Sequence, residues 1–226
     1  MPKINIAIDG YSSCGKGTLA SMLAKTLNYT MIDTGAMYRA VTLYLMQHGI
    51  DINDHKAVEA VLPQIHISWQ TIDQKQVTFL NGNNVEDQIR SMAVANMVSP
   101  VSQIDVVRHF LVQQQQQLGQ SKGVVMDGRD IGTVVFPDAE VKFFMTASAE
   151  VRAHRRYSEM QQKGQTSLSF DQVLQNLNER DYLDTHRTHS PLQQAPDAIV
   201  IDNSQLSIQA QLDLALEIVK AKINSL

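Results

Sequence analysis

Five short apolar runs along the chain are the feature that most constrains its fold. They span residues 4–9, 29–33, 124–127, 141–145 and 198–202, and longer segments with helical periodicity separate them. Strands that are apolar at nearly every position are typical of parallel sheets buried on both faces. Because strand and helix alternate, the sequence predicts an α/β protein with a five-stranded parallel sheet in a three-layer α/β/α arrangement.

One region departs from this alternation. "IHISW" (65–69) alternates apolar and polar residues, and "VTFL" (77–80) is followed by Asn81-Gly82, a strong hairpin signal. The pattern predicts a small antiparallel β-containing insertion at about residues 62–98.

Composition excludes several classes of protein. The chain has 226 residues, enough for one domain with an insertion, and its net charge of −4 gives no overall positive field for nucleic acid or a membrane surface. One cysteine, Cys14, excludes an internal disulfide and a multi-cysteine metal site. Without a signal-like segment or an apolar run of bilayer length, we expect a cytoplasmic protein.

The segment "DGYSSCGKGT" connects the first apolar run to a helical pattern. Its glycines allow consecutive N–H groups to point inward at phosphate oxygens, and the following helix N-terminus adds partial positive charge. Lys16 supplies a full charge for the β- and γ-phosphates. A plain glycine-rich turn is the weaker alternative. The predicted phosphate loop consists of Gly10, Tyr11, Ser12, Ser13, Cys14, Gly15, Lys16, Gly17 and Thr18.

Gly17 and Cys14 bear on the chemistry of this loop. The general phosphate-loop pattern has Ser or Thr directly after the lysine to bind magnesium, but Gly17 stands there and Thr18 follows. The glycine at this position argues against direct magnesium binding by a hydroxyl of the loop.

Cys14 is interpreted as a small residue packed beneath the phosphates, rather than as a redox-sensitive thiolate.

The loop after the second apolar run, "DTGAMYR", predicts a second anion site. Thr34 is expected to cap the next helix, with Tyr38 and Arg39 near the same end. That grouping suits a phosphate. A capped amphipathic helix with a surface arginine explains the residues equally well.

The loop after the third apolar run carries more charge. In "VVMDGRDIG", Asp127 ends the run, where a carboxylate can organise the water ligands of magnesium, and Arg129 and Asp130 follow. Open α/β sheets bind ligands at the carboxyl ends of their strands. A functional site is therefore favoured over a surface ion pair.

Two later segments also concentrate charge. Arg152, Arg155 and Arg156 share about one and a half helical turns, a costly arrangement unless anions neutralise them. Arg180 and Asp184 are spaced for an i,i+4 helical salt bridge, which contributes only about 0.3–0.5 kcal/mol.

Together, "DGYSSCGKGT", "DTGAMYR", "DGRDIGTVVFPDA", "RAHRR" and "ERD" with Asp184 and Arg187 resemble the bacterial cytidylate kinases, a family of P-loop nucleoside monophosphate kinases. The motifs have that family's order and spacing from about residue 4 to 220. The chain departs from the family at Tyr11, Cys14 and Thr34. The resemblance implies transfer of the γ-phosphoryl group of ATP to CMP or dCMP with magnesium, by a monomer.

The resemblance also implies roles for individual residues. The catalytic residues are expected to be Lys16, Arg129 and Arg155. Arg152 and Arg156, beside Arg155, are expected near ATP. The acceptor phosphate is assigned to Thr34, Arg39, Arg129 and Arg187, with Tyr38 beside them. Cytosine is assigned to Ser99, Arg108 and Asp130, and the sugar to Arg180 and Asp184. Asp127 and Asp33 are expected to reach magnesium through water.

Finally, the resemblance implies a division of the chain. The core is expected at about 1–61, 99–150 and 188–226, the NMP-binding insertion at about 62–98, and a helical lid at about 151–187. One alternative is a related small-molecule kinase that phosphorylates AMP, UMP or shikimate. A non-catalytic nucleotide switch is the other, although the chain lacks the Asn-Lys-x-Asp guanine-binding motif of GTP switches.

Overall fold

The computed structural model describes residues 2–73, 75–162, 164 and 168–226. Residue 74 of the predicted insertion and residues 163 and 165–167 of the predicted lid lie outside the described residues. Contacts divide the chain into two compact units. The first unit comprises the chain up to Ile32 together with Leu118–Leu226, and the second comprises Asp33–Gln117.

Helices and strands alternate along most of the chain. In chain order the elements are β1 (Asn5–Gly10), α1 (Lys16–Leu27), β2 (Thr30–Asp33), α2 (Thr34–Gln47), α3 (His55–Val61), β3 (Ile67–Ile72), β4 (Lys75–Leu80), β5 (Asn83–Asn84), α4 (Met92–Val101), α5 (Asp105–Leu118), β6 (Val124–Gly128), β7 (Val141–Thr146), α6 (Ala149–Gln162), α7 (Phe170–His186), β8 (Ile199–Asp202) and α8 (Ile208–Asn224). None of these described helices has the length and apolar character needed to span a bilayer.

The main sheet has five strands in the order β2-β6-β1-β7-β8. Strand β1 runs parallel to both β6 and β7, and β7 runs parallel to β8. Every residue of β1 and β6 is buried, which explains their largely apolar character. The predicted parallel sheet is confirmed. Because β1 and β6 pair in parallel, their carboxyl ends, with Asp9 and Asp127, meet at one edge.

Helices α1 and α8 pack with the central strands in one apolar cluster. Leu23 of α1 and Val219 of α8 are buried with Ile6 of β1 and Phe143 of β7. Cys14 belongs to the same cluster and is fully buried. The phosphate loop is therefore anchored in the core by its own cysteine, as the packing interpretation predicts.

The second unit contains the predicted antiparallel sheet. Strands β3, β4 and β5 lie in that order, and Ile67 of β3 pairs with Leu80 of β4. Asn81 and Gly82 connect β4 to β5 with φ angles of 48° and 81°, the two positive values that a type I′ turn requires. Helices α3 and α4 were not predicted, and they are capped by the side chains of Asp54 and Ser91.

The predicted N-cap of α2 was wrong by one residue. Thr34 is the first residue of the helix, and Asp33 is its cap. The Asp33 carboxylate accepts a hydrogen bond of 2.8 Å from the Ala36 N–H. This N–H belongs to the first turn of the helix, where backbone donors have no partner within the helix itself. Since β2 ends at Asp33 in an extended conformation, the strand runs directly into the helix.

Gly10, the last residue of β1, offers a test of this packing. Its φ is +146°, and a Cβ added there would lie 2.0 Å from the carbonyl oxygen of Met145 in β7. We expect Gly10→Ala to lower the free energy of unfolding by about 2–4 kcal/mol, because the paired backbones must separate. Urea denaturation followed by circular dichroism measures this.

The matched control is Gly49→Ala, because Gly49 also has a positive φ (+61°) but no atom lies within 4 Å of the added Cβ. It should cost only about 1 kcal/mol of backbone strain. Equal losses for the two variants would contradict the steric explanation.

Candidate active site

The phosphate loop wraps around the side chain of Lys16. Its ammonium donates hydrogen bonds of 2.8 Å to the carbonyl oxygen of Gly10 and 2.6 Å to that of Tyr11. Ser13 and Gly15 have positive φ angles of 59° and 84°, and Gly15 is the N-cap of α1. The loop thus gathers a cation and a helix N-terminus in one concave segment, the arrangement that binds phosphate.

Lys16 is a buried cation. Burial lowers its pKa to about 8, and repulsion from the Arg129 guanidinium acts in the same direction. The ammonium is still the main form at neutral pH. A buried cation close to a second cation favours an anionic ligand, because phosphate oxygens would offset both the cost of burial and the repulsion between the two cations.

Arg129 connects the loop after β6 with the phosphate loop. Its Nη2 donates to the Ser12 hydroxyl (2.9 Å) and its Nε donates to Asp184 of α7 (2.7 Å). Burial opposes the charge of Arg129, but the Asp184 carboxylate raises the arginine pKa above its usual value. Burial likewise opposes the charge of Asp184, and Arg129 lowers its pKa. Both groups therefore stay charged.

Asp130 lies beside Arg187. Its Oδ1 is 3.7 Å from Nη2 of Arg187, and both side chains are almost fully buried. Arg187 also donates from Nε to the carbonyl oxygen of Ser190 (2.7 Å). The first unit therefore brings together four predicted site residues, namely Arg129, Asp130, Asp184 and Arg187, at the carboxyl edge of its sheet and the end of α7. Arg180 lies one turn earlier on α7.

Asp9 is a buried carboxylate that the sequence analysis missed. A π-helical turn, Ile131–Val135, follows Asp130, and the N–H groups of Ile131 and Gly132 donate to Asp9 over 2.8 and 2.7 Å. Asp9 therefore fixes the turn that carries Asp130. Its position at the end of a buried strand, like that of Asp127, was the available signal.

Asp127 lies close to the beginning of α1. A Cβ added at Gly17 would be 3.8 Å from Oδ2 of Asp127, and the carboxylate attracts Lys16. Within the parts of the chain that the structure describes, no group of three or more His, Cys, Asp or Glu side chains is arranged to hold a metal ion. Asp127 is thus a carboxylate beside the phosphate loop that belongs to no such cluster.

The three arginines of α6 have different surroundings. Arg155 donates to both the side-chain and the backbone oxygen of Asn203, each over 2.8 Å, whereas Arg156 pairs with Glu159 at 3.1 Å. Arg152 is buried and contacts the backbone of Ser12. Of these three arginines, Arg155 and Arg156 line a cavity beside the phosphate loop.

A cavity of about 430 Å³ adjoins the phosphate loop. Asn203, which follows β8, donates from Nδ2 to the Cys14 carbonyl oxygen (2.7 Å) and to Gln211 (2.9 Å). Neither Asn203 nor Gln211 was predicted as a site residue, although Asn203 directly follows β8. The lining residues are Ser13, Cys14, Gly15, Thr18, Leu19, Arg155, Arg156, Glu159, Asn203, Leu206, Ser207, Ile208 and Gln211.

The second unit holds the remaining predicted residues. Arg108 of α5 is buried, its guanidinium carbon lies 5.8 Å from the centre of the Tyr38 ring, and its Nη1 donates to the Ser102 carbonyl oxygen (3.2 Å). Thr34 is buried at the start of α2. The Ser99 carbonyl oxygen accepts from the Ser102 hydroxyl (2.8 Å).

Asp33 and Arg39 form an ion pair of 2.9 Å in this unit. One Asp33 oxygen binds Arg39 and the other caps α2. Asp33 is therefore a cap and an arginine partner, which makes Asp127 the stronger candidate for a metal-linked carboxylate.

Comparison with solved structures defines the class of fold. An uncharacterised protein from Eubacterium ventriosum (11% identity, TM-score 0.54) covers 97% of this chain and 99% of its own. A shikimate kinase from Bacteroides thetaiotaomicron (12% identity, TM-score 0.50) has the same coverage, 97% and 99%. With the strand, phosphate loop and helix described above, the chain has the fold of a P-loop kinase.

Sequence comparison identifies the family within this class of fold. The family model described as cytidylate kinase matches residues 6–221. A cytidylate kinase from Phocaeicola vulgatus is 54% identical over 99% of this chain and 100% of its own length. One from Flavobacterium johnsoniae is also 54% identical, over 97% of each chain. The chain belongs to the cytidylate kinase family.

Asp9 gives the site a measurable pH dependence. Burial raises its pKa from 3.8 to about 6, although hydrogen bonds from Gly132 and Ile131 favour the charged form. The folded state therefore holds this proton more tightly than the unfolded chain. The stabilisation of the folded state by this protonated carboxyl is complete below about pH 4 and is lost as the pH rises through about 6.

We expect the free energy of unfolding of the wild type, minus that of Asp9→Asn, to fall by up to about 3 kcal/mol between about pH 4 and pH 7. Denaturation of both proteins at a series of pH values, without nucleotide, measures this difference. A difference that stays constant or rises with pH would show that Asp9 does not titrate in this way.

Proposed function

We propose that this protein transfers the γ-phosphoryl group of ATP to CMP or dCMP, giving ADP and CDP or dCDP. Membership of the cytidylate kinase family over nearly the whole chain is the observation that carries the proposal. The buried Lys16 within a phosphate loop supports the same chemistry. A kinase with another acceptor, or a non-catalytic switch, is not favoured.

The donor ATP binds to the first unit. Residues 10–18 bind its phosphates, with Lys16 exchanging its carbonyl partners for phosphate oxygens. The cavity beside the loop is large enough for the nucleoside, since ligand pockets are about 300–1,000 Å³. Arg155 and Arg156 line this cavity and supply positive charge near the transferred group. Arg155, with Lys16 and Arg129, acts on the reacting phosphates.

Magnesium accompanies ATP. The Asp127 carboxylate beside the loop fits an ion that is held mainly by substrate phosphates and water, as magnesium usually is. Asp127 would hold it through water, and Asp33, which is already bound to Arg39 and to the Ala36 N–H, is a weaker second candidate. When bound, the ion would neutralise part of the negative charge of the phosphates.

The acceptor CMP is bound by arginines and by one buried carboxylate. Its phosphate is bound by Arg129 and Arg187, and also by Thr34, Arg39 and Tyr38. Asp130 accepts from the N4 amine of cytosine, while Arg108 and Ser99 donate to its ring acceptors. The sugar is bound by Arg180 and Asp184.

The transfer step needs alignment and charge rather than a strong base. An acceptor phosphate oxygen, already anionic, attacks the γ-phosphorus as the bond from this phosphorus to the bridging oxygen of ADP breaks. Lys16, Arg129 and Arg155 offset the charge of the two nucleotides as they approach each other. Residues 62–98 form the NMP-binding segment, and 151–187 form a lid that excludes water. The enzyme acts as a cytoplasmic monomer.

An acceptor panel tests the proposed reaction. Given ATP and magnesium, the purified wild type should form ADP with CMP and dCMP much faster than with UMP, AMP or shikimate, as a coupled ADP assay measures. Lys16→Met should remove nearly all of this activity, because an apolar side chain fills the loop without neutralising phosphate. Failure of the wild type to form CDP would overturn the proposal.

Asp130 tests the assignment of the base. In Asp130→Asn the amide can rotate to accept from cytosine or donate to uracil, so we expect kcat/KM for CMP to fall and its ratio to that for UMP to fall by at least about tenfold. The KM for ATP should stay unchanged. Steady-state kinetics with both acceptors measure this.

Asp138→Asn is the matched control, since Asp138 is an exposed carboxylate eight residues further along the chain. It should leave both acceptors unaffected. If Asp130→Asn lowered CMP and UMP use equally, Asp130 would not be the residue that distinguishes the bases.

A further inference from the structure

Helices α6 and α7 are joined by a buried ion pair beside the phosphate loop. Nη1 of Arg152 in α6 is hydrogen-bonded to Oδ2 of Asp181 in α7, and both residues are buried. The two helices also share an apolar cluster that includes Ala153 and Leu177. The pair is therefore fixed by the packing of its helices as well as by its own charges.

Both partners also bind the backbone of Ser12 in the loop. Oδ1 of Asp181 accepts from the Ser12 N–H (3.2 Å), and Nη1 of Arg152 donates to the Ser12 carbonyl oxygen (3.2 Å). The guanidinium carbon of Arg152 lies 5.3 Å from the centre of the Tyr11 ring. One ion pair thus binds both polar backbone groups of Ser12 and contacts its neighbour.

These contacts act on the part of the loop that surrounds Lys16. The carbonyl oxygens of Gly10 and Tyr11, directly before Ser12, accept from the Lys16 ammonium, and Ser13 after it has a positive φ. A rotation of the peptide groups on either side of Ser12 would redirect the carbonyls and N–H groups of this segment. The orientation of Ser12 therefore determines which backbone groups of the loop face a bound phosphate.

The same contacts occupy Arg152. Of its five N–H groups, one binds the Ala147 carbonyl oxygen (3.0 Å) and two bind Ser12 and Asp181. The resemblance implies that Arg152 binds ATP, but here its guanidinium binds the loop itself. Arg155 and Arg156, by contrast, line the cavity.

We infer that Asp181, together with Arg152, is a positioning residue that fixes the conformation in which the phosphate loop binds ATP. The inference rests on the proposed function only in naming ATP as the ligand of the loop. Since neither side chain needs to touch the nucleotide, the pair acts through Ser12. Loss of one charge leaves the other buried without its partner, which is costly and disturbs the loop.

Asp181→Asn tests this inference, because asparagine keeps the shape and an acceptor for Ser12 but removes the charge that pairs with Arg152. We expect the Kd for ATP, measured by calorimetry without CMP, and the KM for ATP to rise about tenfold, the effect of losing one charge-assisted hydrogen bond. The KM for CMP should change less than about twofold. Thermal unfolding establishes that the variant is folded.

The matched control is Glu179→Gln, which makes the same chemical change two residues earlier in α7, at an exposed carboxylate that accepts from Gln175. It should leave ATP binding unchanged. If Asp181→Asn fails to fold, the doubly neutral Arg152→Met/Asp181→Asn variant leaves no unpaired buried charge and takes its place, with the same rise expected in the Kd for ATP.

Two results would overturn the inference. ATP binding as tight as or tighter than that of the wild type would mean that Arg152, once released, serves as a phosphate ligand. A parallel rise in KM for ATP and CMP with a lowered melting temperature would indicate a purely structural role. Failure of the wild type to phosphorylate CMP would instead overturn the proposed function, because calorimetric ATP binding is measured without an acceptor.

Discussion

The hydrogen bonds that the Lys16 ammonium donates to the backbone of its own loop are the interaction on which the rest of the site depends. Without a ligand, a buried ammonium beside a buried guanidinium is destabilising. The carbonyl oxygens of Gly10 and Tyr11 satisfy its donors, and burial with Arg129 leaves its pKa at about 8. The fold therefore holds a positive charge within the concave loop.

Carboxylates keep the neighbouring arginines in place in the same way. Asp181 binds Arg152, Asp184 binds Arg129, and Asp130 lies beside Arg187. The first pair joins helices α6 and α7 beside the phosphate loop. The other two pairs join α7, or the residue that follows it, to the loop after β6. A net negative chain can therefore contain a strongly cationic site, because the positive charge is local and already partly balanced.

Much of this architecture follows from the sequence. Buried strands such as Asn5–Gly10 are largely apolar, so their parallel pairing was predictable, and the Asn81-Gly82 turn located the small antiparallel sheet. The cap of α2 was misassigned because Asp33 and Thr34 are both good N-cap residues, and only the backbone conformation of Asp33 distinguishes them. Helix α4 was missed because it is short and contains Pro100.

The site was predictable to a lesser degree. Motif spacing predicted Lys16, Arg129 and Asp130 as site residues. Asp9, Asp181 and Asn203 instead contact residues far away in the chain, namely Ile131, Ser12 and Arg155. Such contacts depend on the packing of whole elements. Spacing alone also cannot distinguish an arginine that lines the cavity from one that is bound to the loop, as Arg155 and Arg152 illustrate.

The complete burial of Cys14 has a practical consequence. Its thiol lies in the apolar core, and burial raises its pKa above the usual value, so the reactive thiolate form is suppressed. Since Cys14 is the sole cysteine of the chain, a cysteine introduced on the surface would be the only readily alkylated thiol. Fluorophores or spin labels can therefore be attached at chosen positions while the native loop sequence is retained.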